Sequence, residues 1–249
     1  MALEGVDWQL LRNLLAIPTA AVYMTVGFVV GRREVSREAR PANLAFQAWW
    51  HGLAALTLFT PLIWLLDVLG VGGFELRLYL VEVLLLALVV AIACLVYYLL
   101  YVYTGKAWVM WPVAGYHLLA MAWLSQLITI GQPVAYGSAC PDAGFCYQND
   151  IMDSSAAQWI GVILVLPIVL SALAYFALFF RMESRAQKYR IAMVAGALFV
   201  WFGSSLVASV LDAAANDAWT LASNLIGLGA ALLILAAYRP PAMIRAKLA

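Results

Sequence analysis

Seven stretches of this chain are apolar for about 20 residues each, the length an α-helix needs to cross a hydrocarbon layer of roughly 30 Å. They fall at about 11–31, 44–66, 76–103, 108–130, 158–180, 189–211 and 218–238. A membrane β-barrel would instead be built from strands of about ten residues with strict alternation, and the run 83–93 is apolar without alternating. Composition agrees: 66% of residues are hydrophobic, 11% are charged, and the mean hydropathy is +0.93. Soluble domains carry about a quarter charged residues. The expected fold class is all-α, a polytopic seven-helix membrane bundle forming a single domain over 1–249.

Charge distribution sets the expected orientation. Arg32, Arg33, Arg37, Arg40, Lys106, Arg181, Arg185, Lys188, Arg190, Arg239, Arg245 and Lys247 all fall on one side, leaving only Arg12 and Arg77 on the other. Basic loops stay in the cytoplasm. The N-terminus is therefore expected outside and the C-terminus inside, in a multi-pass protein of the cell membrane. Glu4 and Asp7 stand where a signal peptide would carry cations, so the first span is expected to remain as an anchor. The net charge is only +1, which gives no reason to expect a nucleic-acid partner.

Cys140 and Cys146 fall in the long interval between spans four and five, on the side expected to be oxidising, and are expected to close a small disulfide loop. Cys94 lies inside span three and reads as a small core residue. No metal site is expected from the cysteines, because two alone do not complete a structural zinc site.

The intervals between spans are too short for a soluble catalytic domain. They contain no phosphate-binding glycine loop, nucleophile elbow or zinc-protease signature, so an enzyme is not expected. Any signal must then pass to a cytoplasmic or membrane partner.

Polar residues within the spans nominate a ligand site. Glu82 lies about two turns in from the outer end of span three, and an intramembrane carboxylate must be protonated, paired or turned to a polar cavity. Gln126, Ser205 and Asn224 lie at similar outer depth, so Glu82, Gln126, Ser205 and Asn224 are the candidate ligand-binding set. The competing expectation is that these groups hydrogen-bond between helices while Glu82 pairs with Arg12 or Arg77.

The chain's two histidines, His51 and His117, sit in co-directional spans at matched depth, which is the geometry of a bis-histidine haem b site. The plainer expectation is a pair of hydrogen-bonded interfacial histidines with no cofactor. Trp49, Trp50, Trp108 and Trp111, with Tyr97, Tyr98, Tyr101 and Tyr103, gather at the inner ends of spans two to four, where an aromatic belt belongs.

Seven helices and an outside N-terminus are similar to the microbial opsins in topology. Their Schiff-base lysine in span seven has no counterpart here: aligning Gly227-Leu228-Gly229 with the opsin glycine-rich step puts Leu225 at that position, which speaks against covalent retinal. The last third resembles the closing helices of prokaryotic seven-helix sensory modules. The resemblance rests on Phe179-Phe180-Arg181-Met182-Glu183, Tyr189-Arg190, Trp201-Phe202-Gly203-Ser204-Ser205 and Arg239-Pro240-Pro241. It implies a receptor-like or sensory protein that binds an unknown small molecule or lipid in its outer half. A small-solute transporter and a haem b electron-transfer subunit are the alternatives.

Overall fold

The computed structural model of the protein describes residues 8–32, 35–71, 74–139, 159, 161–210 and 217–248. The described residues form α1 (Trp8–Gly31), α2 (Arg40–Val68), α3 (Phe74–Thr104), α4 (Met110–Ala139), α5 (Leu166–Ala177), α6 (Arg185–Val210), α7 (Asp217–Tyr238) and a short α8 (Ala242–Leu248). A π-helical turn, Gly161–Val165, leads into α5, and 3-10 turns cover Ala107–Val109 and Leu178–Phe180. No strand occurs among the described residues. Seven helical segments are long and apolar enough to cross a membrane, the fifth being Gly161–Phe180, which joins the π turn, α5 and the following 3-10 turn. Many of their large side chains, such as Leu118, Leu119 and Val90, point away from the protein, as helices facing lipid require.

Six helices close a ring in the order α1, α2, α3, α5, α6, α7, with α7 returning to α1, while α4 lies outside it and packs on α3. The chain runs alternately up and down. Contacts between sequence-distant residues gather Val30 with Asn43, Glu38 with Tyr101, Tyr98 with Tyr238 and Arg181 with Tyr103 at one end. This end carries Arg37, Arg40, Lys106, Arg185, Lys188 and Arg239, and is called the basic end below. Several of its cations lie over aromatic rings: Arg181 over Tyr103 at 5.6 Å, Lys188 over Phe179 at 5.7 Å and Arg190 over Tyr238 at 5.5 Å. Gly105, at φ 70°, supplies the left-handed residue that stops α3 before α4 begins.

Small residues set the tightest joint. Gly27 and Gly31 lie one turn apart on α1 and receive His51 and Gln47, one turn apart on α2. A Cβ on Gly27 would stand 2.8 Å from His51 Nε2, so only glycine permits this approach. On α7, a Cβ on Gly227 would stand 2.7 Å from Tyr23 Oη and 2.8 Å from Trp201 Cε2.

An aromatic layer fills the ring interior. Phe46, Trp49 and Trp50 are fully buried, and Tyr23, Trp201 and Phe202 nearly so. Trp49 of α2 meets Phe202 of α6 at 5.8 Å across the ring, and Tyr23 of α1 stacks on Trp201 at 5.7 Å. Phe46 stacks on Tyr98 at 4.1 Å with an interplanar angle of 8°. The belt expectation therefore divides. Trp108 and Trp111 are exposed as a belt requires, whereas Trp49, Trp50, Tyr97 and Tyr98 are core. The division follows helix phase: adjacent Trp49 and Trp50 both fall on the buried face of α2, while Trp108 and Trp111 stand at the start of α4, which packs chiefly on α3.

Candidate functional site

Each ring helix has a buried stripe, and several stripes change character toward the end opposite the basic one. On α3 the stripe Leu85, Val89, Ile92, Val96 and Leu99 is buried, and Glu82 lies three residues before it on the same helical face, half-buried. On α6, Ser205 continues the stripe Ile191, Val194, Leu198 and Trp201. On α7, Asn224 precedes Gly227, Ala231 and Ile234 at the same spacing. The α1 stripe ends in Asn13, beside the buried Arg12. From the helix rise of 1.5 Å, Asn13, Glu82, Ser205 and Asn224 lie roughly 8–12 Å in from the ends of their helices.

Asn13 is the residue that sequence reasoning missed. It is 4% exposed, and neither its Oδ1 nor its Nδ2 has a hydrogen-bond partner among the described residues. Burying an amide without a partner costs about 1–3 kcal/mol, so such a group in a membrane helix has the same claim to attention as an intramembrane acid. The signal was available as an asparagine on the apolar face of span one. Fully buried Trp49 and Trp50 also leave their indole N–H groups without partners among the described residues.

The nominated residues differ in what holds them. The Ser205 hydroxyl donates to the carbonyl of Trp201 at 3.1 Å, and Ser204 donates to the same carbonyl at 2.7 Å. Such back-bonding satisfies a serine within its own helix. Ser205 and Asn224 stand on neighbouring helices, α6 and α7, while Glu82 stands on α3, whose principal neighbours are α2, α4 and α5. Gln126 belongs to α4, outside the ring, and its side chain lies outside the described residues. Cys140 and Cys146 also lie outside the described residues.

His51 and His117 occupy different interfaces. His51 packs on α1, with its ring against Gly27 and 5.3 Å from the Phe28 ring. His117 is 3% exposed on α4, where its Nδ1 is 2.8 Å from the carbonyl of Val113. A carbonyl only accepts, so the neutral ring carries its proton on Nδ1. His51 thus faces α1 while His117 lies at the α3–α4 joint, an assignment that depth alone leaves undetermined because it does not fix helix rotation. No group of three or more metal-ligating side chains occurs among the described residues.

Two apolar grooves flank α4. One, of about 420 Å³, lies between α2, α3 and α4 and is lined by residues including Ala45, Val89, Cys94, Tyr97, Val113 and His117. The other, of about 570 Å³, lies between α3, α4 and α5, with Leu100, Trp108, Tyr116, His117, Pro167 and Ser171 in its wall. Across this second groove the Tyr116 hydroxyl donates to the carbonyl of Ile163 at 2.8 Å. Ile163 lies in the π turn that leads into α5, so this bond ties α4 to the irregular start of that span.

The fold defines an all-helical class in which seven helices can span a membrane, six of them in a ring. No protein-family model, curated protein or solved structure matches the chain.

Proposed function

We propose that the chain is a multi-pass cell-membrane protein of the receptor or sensor kind, with its N-terminus outside and its basic end in the cytoplasm. It binds a small polar molecule or lipid head group among Asn13, Glu82, Ser205 and Asn224, and passes the signal to a partner at the basic end. It performs no catalysis of its own. The observation that carries this reading is that the buried stripes of the adjacent helices α1, α6 and α7 end in polar residues beyond a dense aromatic layer, with Asn13 among them lacking a partner within the described residues. Polar groups backed by a filled aromatic layer suit capture of a ligand better than passage of a solute. Gln126, expected in the same site, has no part in this reading because α4 stands outside the ring.

The test is native mass spectrometry of the protein released from host membranes, with and without Glu82→Gln and Asn13→Leu. A bound small molecule retained by the unaltered chain and lost from both variants is expected. Solute flux in proteoliposomes would replace the reading with transport. A Soret band abolished by either His51→Ala or His117→Ala would replace it with haem binding.

A further inference from the structure

His117 is out of place in its surroundings. It is an ionisable residue at the joint between α3 and α4, buried, with apolar grooves on both sides. Its Nδ1–H is spent on the carbonyl of Val113, which leaves Nε2 as a bare lone pair. Nε2 is buried and has no hydrogen-bond partner among the described residues. Helix packing alone would be served as well by leucine, without the cost of an unmet acceptor. The unmet acceptor is available to a donor on a bound molecule.

The groove between α2, α3 and α4 is shaped to bring that donor in from the bilayer. Leu86, Val90 and Leu118 line it and are each at least half exposed, so its mouth opens on the lipid-facing surface. Small side chains at Ala45, Ala93 and Ala114 leave its depth free. Its volume of about 420 Å³ is in the range of small-molecule sites. The groove on the other side of His117 is spanned by the bond from Tyr116 to Ile163.

We propose that this groove is a lateral binding site for a membrane-dissolved molecule with a hydrocarbon body and one hydroxyl head, whose O–H donates to His117 Nε2. The site is separate from the polar one proposed above and does not depend on it. The body lies along Val89, Ala93 and Tyr97 of α3, and the head reaches the histidine at mid-helix. Specificity resides in the single donor, because an apolar groove accepts hydrocarbon bodies of many shapes while a buried acceptor rejects a molecule that lacks a donor.

The test uses the full chain in phosphatidylcholine nanodiscs and two photoreactive probes, a diazirine-bearing long-chain alkylphenol and its O-methyl ether. The phenol is expected to label peptides containing Val89–Tyr97 or Met110–Met121, with an affinity about ten-fold above that of the ether. In protein carrying nitrogen-15 histidine, the His117 Nε2 resonance should move on adding the phenol and stay fixed with the ether. His117→Phe should reduce phenol affinity to the level of the ether. Equal affinity of the two probes for the unaltered protein would overturn the proposal without reliance on any variant. So would labelling confined to Leu166–Ser171.

Discussion

The joint between α1 and α2 and the joint between α3 and α4 are built on opposite plans. In the first, glycines on one helix take side chains from the other, and a methyl group added at Gly27 would collide with the His51 ring. In the second, Gly115 of α4 has nothing within 4 Å of where its Cβ would be, and open grooves run along both flanks of the helix. Helices of similar length and apolarity are thus used once as a rigid pair and once as a lightly held outrigger. Apolarity in a membrane does not by itself bind helix to helix; close surface complementarity does. The open joint is also where a molecule dissolved in lipid can enter, which the closed one forbids.

The largest expected effect of breaking this contrast is at the glycines. Gly27→Val should destabilise the fold by about 2–3 kcal/mol, since it forces either His51 or the whole of α2 to move. Gly227→Ala should lose about 1–3 kcal/mol for the same reason against Tyr23 and Trp201. Reversible unfolding in mixed micelles measures both, and unchanged stability in either would refute the account of the tight joint. Next, Tyr116→Phe should cost about 1 kcal/mol by removing the hydrogen bond its hydroxyl donates to the carbonyl of Ile163. Hydrogen exchange should localise that loss to the start of α5. Smallest, and of opposite sign, Gly115→Ala should leave stability unchanged or raise it by up to about 1 kcal/mol through helix propensity alone. A marked loss there would show that α4 is held more closely than the open grooves imply.

The seven spans were legible because a membrane demands long apolar runs, and helix bounds such as Gly31 and Tyr238 fall where the hydrophobic pattern stops. What the sequence hid was rotation about each helix axis. Trp49 and Trp111 are both tryptophans in the half of a span nearer the basic end, yet one is fully buried and the other 72% exposed. The same ignorance of rotation hid which interface each of His51 and His117 faces. Glu82, Ser205 and Asn224 were visible as polar residues in apolar runs, and Asn13 had the same signature. Gly27 and Gly31 formed a readable small-residue motif that became meaningful only with His51 and Gln47 opposite it. The Tyr116–Ile163 bond could not have been read, because it joins residues 47 apart through the packing of two helices.

Closure of the ring by α7 against α1 has a consequence for how the protein is made. Tyr23 finishes its packing only when Trp201 and Gly227 arrive, about 200 residues later, which at ~5–20 residues per second is a delay of roughly 10–40 s. The α1–α2 hairpin can form as soon as it is synthesised, but the second face of α1, with its buried polar Asn13, must wait. During biogenesis that face is an open invitation to other nascent helices, to the insertion machinery or to a membrane chaperone. A chain released before Asp217 would carry the exposed seam permanently and present it to quality control.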